Sequence, residues 1–242
     1  MIILWERLGK KIYLEGGLDF MTTVIVLVEG YTEERFVKQV LGPHLEGFEI
    51  YIIPKIITTK INKNGTNFKG GIDSYLKIKN DLNKILFDKS VFVTTLIDLY
   101  GLPNDFPNFN ETTKIKDPYQ KAEKLEKDFL DDIANDKFIP YLQLHEFEAI
   151  LFSEMSGFEK FYSQNPRIIS DLHEVHLAFP NPEFINDTPE KAPSKRILKI
   201  IPEYRKPSLG ASISSVISVT SIIEKCPHFS EWINKLTRLC SN

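Results

Sequence analysis

Glu29 and Glu33 stand four residues apart in "VEGYTEERF", Asp98 ends "VTTLID", and Glu146 and Glu148 lie two apart in "LHEFEA". Carboxylates gathered at one point repel one another and raise their own pKa values unless a positive charge sits among them. Mg²⁺ or Mn²⁺ is the economical solution, because hard divalent ions take oxygen ligands and can hold a phosphodiester as well. Glu29, Asp98 and Glu146 are expected to hold such a metal, with Glu148 as the alternate to Glu146. Glu33, one helical turn beyond Glu29, is expected to join the catalytic set.

Between Glu146 and Glu148 the spacing leaves a choice. Residues two apart diverge by about 200° on a helix, whereas on an extended segment they share a face. The expectation favours Glu146. His145, just before it, suits either the orientation of a water, carboxylate or phosphate oxygen or a structural bond to a loop carbonyl.

Cations are the second group of candidates. Lys195 and Arg196 in "APSKRILK" fall in a first helical turn, where positive charge opposes the helix dipole unless an anion is bound nearby. Arg205 and Lys206 in "PEYRKPSLG" form a second basic pair, and Lys69 precedes Gly70 and Gly71 ahead of a helix. All five are expected as contacts to a nucleic-acid backbone, where charge gives affinity without sequence. Phe147, Phe152, Phe158, Phe161 and Trp232 sit among aliphatic residues and are expected in the core. Cys226 and His228 lack the second ligand pair that zinc requires, and no Gly-x-x-x-x-Gly-Lys-Ser/Thr stretch occurs.

Elements that would carry these residues follow from periodicity. "TVIVLV" (23–28) is continuously apolar and β-branched, as a parallel strand covered on both faces should be. Thr32 is expected to cap the helix that follows. Further strands are expected at 48–54, 90–97 and 138–144, with helices over 73–86 and 118–134. Strands alternating with helices indicate an α/β fold with a central parallel sheet of about four strands and flanking helices. In such sheets ligands bind beyond the carboxyl ends of the strands, where these acids fall. Residues 21–155 are read as this core and 156–242 as a helical extension packed on it. Residues 1–20 are read as a peripheral extension, with Met21 a candidate natural start.

The chain has 242 residues, 42% hydrophobic and 26% charged, with a net charge of −3. That balance builds in no global attraction to a polyanion, so a nucleic-acid site must be a local basic patch, be bridged by metal ions or be shared with a partner. No apolar run approaches the roughly 20 residues of a membrane span. Two cysteines exclude a disulfide framework, and a reducing cytoplasm is expected.

"VIVLVEGYTEERF" resembles the first motif of the Toprim fold, a Rossmann-like sheet in which a strand ends on glutamate and glycine, and "VTTLIDLYGLP" occupies the place of its second acidic motif. With "FKGGIDSYLKIKNDL", "YLQLHEFEAILF", "INDTPEKAPSKRI" and "KCPHFSEWINKL", the ordered set resembles an uncharacterised bacterial Toprim-like family. Its members are often encoded beside an ATPase of the ABC/AAA type and associated with anti-phage defence. The resemblance implies that Glu29 matches the Toprim glutamate. Glu33 resembles the second acid on the first helix of nucleases of the overcoming-lysogenization-defect type. Asp98 would match the first acid of the Asp-x-Asp metal motif, whose second position is here Tyr100; the next acid downstream is Asp105.

Two functions are therefore expected in competition. One is a Mg²⁺- or Mn²⁺-dependent nuclease acting on DNA or RNA, beside a partner ATPase; a homodimer is compatible with it. The other is a non-cleaving Toprim-like binding or sensing subunit of an ATPase complex.

Overall fold

Within Val24–Val28, even-numbered side chains face one way and odd-numbered side chains the other, and both sets are buried. The computed structural model of the protein describes residues 21–58, 72–186 and 191–240. In it β1 (Thr22–Val28) lies inside a parallel sheet with β2 (Ile50–Ile56), β3 (Phe92–Asp98), β4 (Phe138–Ile139) and β5 (Leu142–Gln143). The order is β2-β1-β3-β4, and β5 also pairs with β3.

The expected strand over 138–144 is two short strands. Pro140 has no N–H to donate to a ladder, and the buried Thr95 hydroxyl takes over at the break. Thr95 Oγ1 donates to Tyr141 O (2.8 Å) and accepts from Tyr141 N (3.0 Å).

Helices cover both faces. α1 (Tyr31–Phe36) runs through a π turn (Val37–Leu41) into α2 (Gly42–Glu46) and covers the face formed by Val24, Val26 and Val28. α3 (Tyr75–Leu86) and α4 (Pro118–Ile133) cover the face formed by Ile25, Leu27, Val93 and Ile97. Connections leaving β1 and β2 thus pass over opposite faces, so the topology reverses where the carboxyl ends of β1 and β3 lie side by side, the place where such sheets bind ligands. α1 differs from expectation at its start: Gly30 is the N-cap, and Thr32 is buried inside the first turn with no capping bond.

Beyond residue 155, α5 (Ser156–Tyr162), α6 (Pro166–Leu177), α7 (Pro193–Ile200), α8 (Ala211–Ser214), α9 (Val219–Lys225) and α10 (Pro227–Thr237) join the α1 side of the sheet in one apolar cluster. Trp232 stacks on Tyr141 at 4.2 Å and its indole N–H donates to Thr94 Oγ1 (2.8 Å) on β3. Glu183 accepts from the N–H groups of His228 and Phe229 at the start of α10 (both 3.0 Å) and from Tyr119 Oη (2.9 Å). A carboxylate on those orphan amides satisfies the helix end and tethers it to α4. Phe147, Phe152, Phe158 and Trp232 are core, as expected, but Phe161 is 43% exposed.

Candidate active site

Parallel pairing of β1 and β3 sets Val28 beside Leu96; β1 ends there, and β3 runs on two residues beside β5 to Asp98. Glu29 and Asp98 emerge there together. Glu29 Oε1 accepts a 2.8 Å hydrogen bond from Asp98 N. Gly101, in the 3-10 turn Leu99–Gly101, makes room for that carboxylate: a Cβ at 101 would lie 2.7 Å from Glu29 Oε1 and 3.1 Å from Oε2.

Glu33 enters from the first turn of α1 and is buried. Glu148 enters from a 3-10 segment, Phe147–Ser153, and is also buried. The same segment anchors Asp98, whose Oδ1 accepts from Phe147 N (2.8 Å). Four chain segments therefore deliver four carboxylates to one place.

A cation is already among them. Lys206 Nζ lies 3.0 Å from Asp98 Oδ2, 3.1 Å from Glu33 Oε1 and 3.3 Å from Glu148 Oε2. Only the contact with Asp98 is a hydrogen bond, and the buried Glu33 Oε1 and Glu148 Oε2 have no hydrogen-bond partner. Burial pushes Glu29 up to about 7, against the opposing pull of Lys206. Burial also raises Asp98 and Glu148. For Lys206 burial disfavours the charge, but the surrounding carboxylates outweigh it and hold the ammonium protonated.

Tyr204 forms a second layer. Its buried hydroxyl donates to Glu148 Oε1 at 3.3 Å. A Cβ at Gly210 would lie 2.5 Å from that hydroxyl, so the glycine permits the approach.

The expectation for Glu146 needs correction. Glu146 is extended (φ −143°, ψ 155°), and the 3-10 turn begins only after it. Its Oε2 turns away to accept from Ser194 N (2.9 Å) near the start of α7. The acid that faces the cluster is Glu148. Glu146 is also the anion at the helix end where a bound phosphate would account for Lys195 and Arg196. Lys195 is exposed, and Arg196 donates Nε to Lys191 O (2.8 Å) and lies over the Phe179 ring.

Arg205 and Lys206 part company: Arg205 is exposed, whereas Lys206 points into the carboxylates instead of outward to a nucleic-acid backbone. Asp105 is not at the site; it accepts from Tyr75 N (2.9 Å) and Ser74 Oγ (3.0 Å) at the start of α3. Lys69, Gly70, Gly71 and residues 1–20 lie outside the described residues.

His145 takes the structural role. It holds a left-handed backbone (φ 63°), and its Nδ1 is 3.1 Å from Asn186 Nδ2. Asn186 also donates to the Tyr100 hydroxyl. Burial pushes the imidazole down to about 4, although a bond with the Glu183 backbone opposes this, so the ring is neutral near pH 7. His228 meets a carboxylate, with Nε2 2.8 Å from Glu126 Oε1.

Sequence reasoning missed the inward turn of Lys206 and the spaces at Gly101 and Gly210. Nothing in "EYRKPS" distinguishes Lys206 from Arg205. The glycines were visible, but the side chains they accommodate come from distant segments.

Residues 28–237 match the protein family described as "Domain of unknown function (DUF4276)". The chain belongs to this family. No curated protein matches this DUF4276 chain. Among solved structures it is similar to the "C-terminal region of the Xanthomonas campestris pv. campestris OLD protein", with 15% identity over 92% of this chain and 100% of that one and a TM-score of 0.39. No helix among its described residues is long and apolar enough to cross a membrane.

As a donor set for a metal, the cluster has the right chemistry and the wrong spread. All four acids offer hard oxygens, and two of those oxygens lack a hydrogen bond. Yet among the described residues no group of three or more His, Cys, Asp or Glu side chains is drawn in closely enough to grip an ion. Lys206 sits at the centre and holds the oxygens at ammonium distance.

Proposed function

We propose that this chain is a Toprim-like, Mg²⁺- or Mn²⁺-dependent nuclease, the effector of an ATPase-linked anti-phage defence system. The observation that carries the reading is the convergence of Glu29, Glu33, Asp98 and Glu148 on one buried point at the carboxyl ends of adjacent parallel strands. A structural role alone does not account for buried carboxylate oxygens left without hydrogen bonds, since such groups are costly. The ordered motifs that resemble the Toprim-like family support the same reading.

Asp98, Glu33 and Glu148 would hold a divalent ion through Oδ2, Oε1 and Oε2, the oxygens that now face Lys206. When bound, such an ion polarises a scissile phosphate and lowers the pKa of an attacking water. Glu29 supplies the proton chemistry: raised to about 7, its carboxyl can accept or return a proton near neutrality. Asp98 N and Gly101 hold that carboxyl in one orientation. Lys206 brings a positive charge beside any phosphate drawn to the acids, which would otherwise repel it. The substrate is DNA or RNA, and the partner is an ABC/AAA-type ATPase, on the strength of the family resemblance.

A second reading is a non-cleaving subunit that binds or senses for the ATPase. Two observations favour it: Lys206 places a positive charge among the acids without a metal, and Tyr100 replaces the second metal acid, its hydroxyl bonded to Asn186. Plasmid nicking and tRNA degradation, assayed with Mn²⁺ and with and without the neighbouring ATPase, separate the two. Cleavage lost in both Glu29→Gln and Asp98→Asn, with folding intact, supports the nuclease; cleavage retained by both variants refutes the site.

A further inference from the structure

We propose that Lys206 is a resident cation that a divalent ion must displace, so that metal binding is coupled to movement of its side chain away from the carboxylates. This rests on the cluster being a metal site, as proposed above.

Three features of the geometry lead there. The ammonium lies 3.0–3.3 Å from one oxygen each of Asp98, Glu33 and Glu148. Mg²⁺ requires oxygens at about 2.0–2.1 Å. The carboxylates therefore stand roughly 1 Å too far out, and they cannot close while an ammonium occupies the middle. The contacts are also incomplete, because Lys206 hydrogen-bonds Asp98 alone and leaves Glu33 Oε1 and Glu148 Oε2 with only its charge. An ion that takes four or more oxygens at once answers that deficit in a way three N–H donors do not.

Room to leave is the third feature. The Lys206 side chain keeps 32% of its surface exposed, while Glu33, Glu148 and Asp98 are at or below 10%. The acids are held from behind, Asp98 by Phe147 N and Glu148 by Tyr204, whereas the Lys206 side chain is partly exposed to solvent. Like charges repel strongly at such separations in a poorly solvated site, so the ammonium and the ion exclude each other. The lysine leaves, and the acids close in by the roughly 1 Å that an ion requires.

Mn²⁺ binding to the full chain, followed by electron paramagnetic resonance of the free ion, tests this in wild type, Lys206→Met and Asp98→Asn. Removal of the competing cation should tighten binding at least tenfold, and Asp98→Asn should abolish it. Equal or weaker binding by Lys206→Met, with wild type still binding through Asp98, overturns the displacement and leaves the metal reading standing. Failure of both wild type and Lys206→Met to bind at millimolar Mn²⁺ overturns the metal reading, and the displacement with it. Should Lys206→Met not fold, acylation of wild-type Lys206 by an amine-reactive ester, read by peptide mass spectrometry at fixed pH, decides the matter. Saturating Mn²⁺ should raise its labelling severalfold relative to Lys235 of α10; unchanged or lower labelling overturns the proposal.

Discussion

Asp98 donates its backbone N–H to Glu29 Oε1 at 2.8 Å while its own carboxylate, through Oδ1, accepts from Phe147 N at the same distance. One residue thus orients two acids and joins β1, β3 and the Phe147–Ser153 turn in a single chain of bonds. The predictions below test the parts of that assembly separately.

Gly101→Ala should disable the site without unfolding the protein. Its Cβ would meet the Glu29 carboxylate at 2.7 Å, inside contact distance, and the carboxylate would have to leave Asp98 N. We expect a loss of at least tenfold in divalent-dependent activity, with a circular dichroism spectrum like wild type. Wild-type activity in this variant would show that Glu29 needs no fixed orientation.

Glu146 and Glu148 should separate cleanly. Glu146→Ala removes a tertiary cap at Ser194 N and should cost about 1 kcal/mol, as lost caps do, or a few degrees of melting temperature. Mn²⁺ affinity should hardly change. Glu148→Gln should abolish Mn²⁺ binding, and without a metal it should leave stability equal or higher, since burial already penalises the charged form. Calorimetry and metal titration on both variants check the pair.

The contribution of Glu29 to stability should fall as pH rises when no divalent ion is present. Burial lifts Glu29 from its ordinary 4.5 to about 7, so the folded state binds the proton more tightly than the unfolded chain. Its contribution is complete below pH 4.5 and is lost as pH climbs through 7, an effect on the order of a few kcal/mol. Denaturant melts across that range should show a more negative slope of stability against pH in wild type than in Glu29→Gln, the opposing effect of His145 being common to both. An unchanged slope in the variant would exclude Glu29 as its source.

His145 should titrate in the opposite sense. Its imidazole is pushed down to about 4, so the folded state resists the proton that the unfolded chain takes up at 6.5. The stability it gives is present above pH 6.5 and lost as pH falls through 4. Nuclear magnetic resonance of the ring should give a midpoint near 4 and a single neutral tautomer at pH 7. A midpoint near 6.5 would mean that the ring is not buried, since burial is what depresses it.

Trp232→Phe should cost about 1–3 kcal/mol. The phenyl ring keeps part of the stacking on Tyr141 but leaves the buried Thr94 hydroxyl without the indole N–H. Equilibrium unfolding of the single variant measures this.

Much of this was legible in the amino-acid order because it depends on neighbours in the chain. The apolar run of β1, the periodicity of α3 and the proline and aspartate that open α4 determine those elements locally, and an acid after a buried strand marks a sheet rim. Glu29 and Asp98 are legible in this way, and Glu33 by its place one helical turn beyond Glu29. Pro140, also visible, breaks the strand over 138–144, but the Thr95 hydroxyl that mends the break comes from another strand. The choice of Glu148 over Glu146 belongs to tertiary structure, because it turns on where a 3-10 turn begins and on α7 presenting Ser194 N to Glu146. Lys206 is the strongest case. Its place among the acids depends on how the helices beyond residue 155 pack over β1 and β3, and carboxylates gathered in a buried site draw in whichever charge that packing brings within reach.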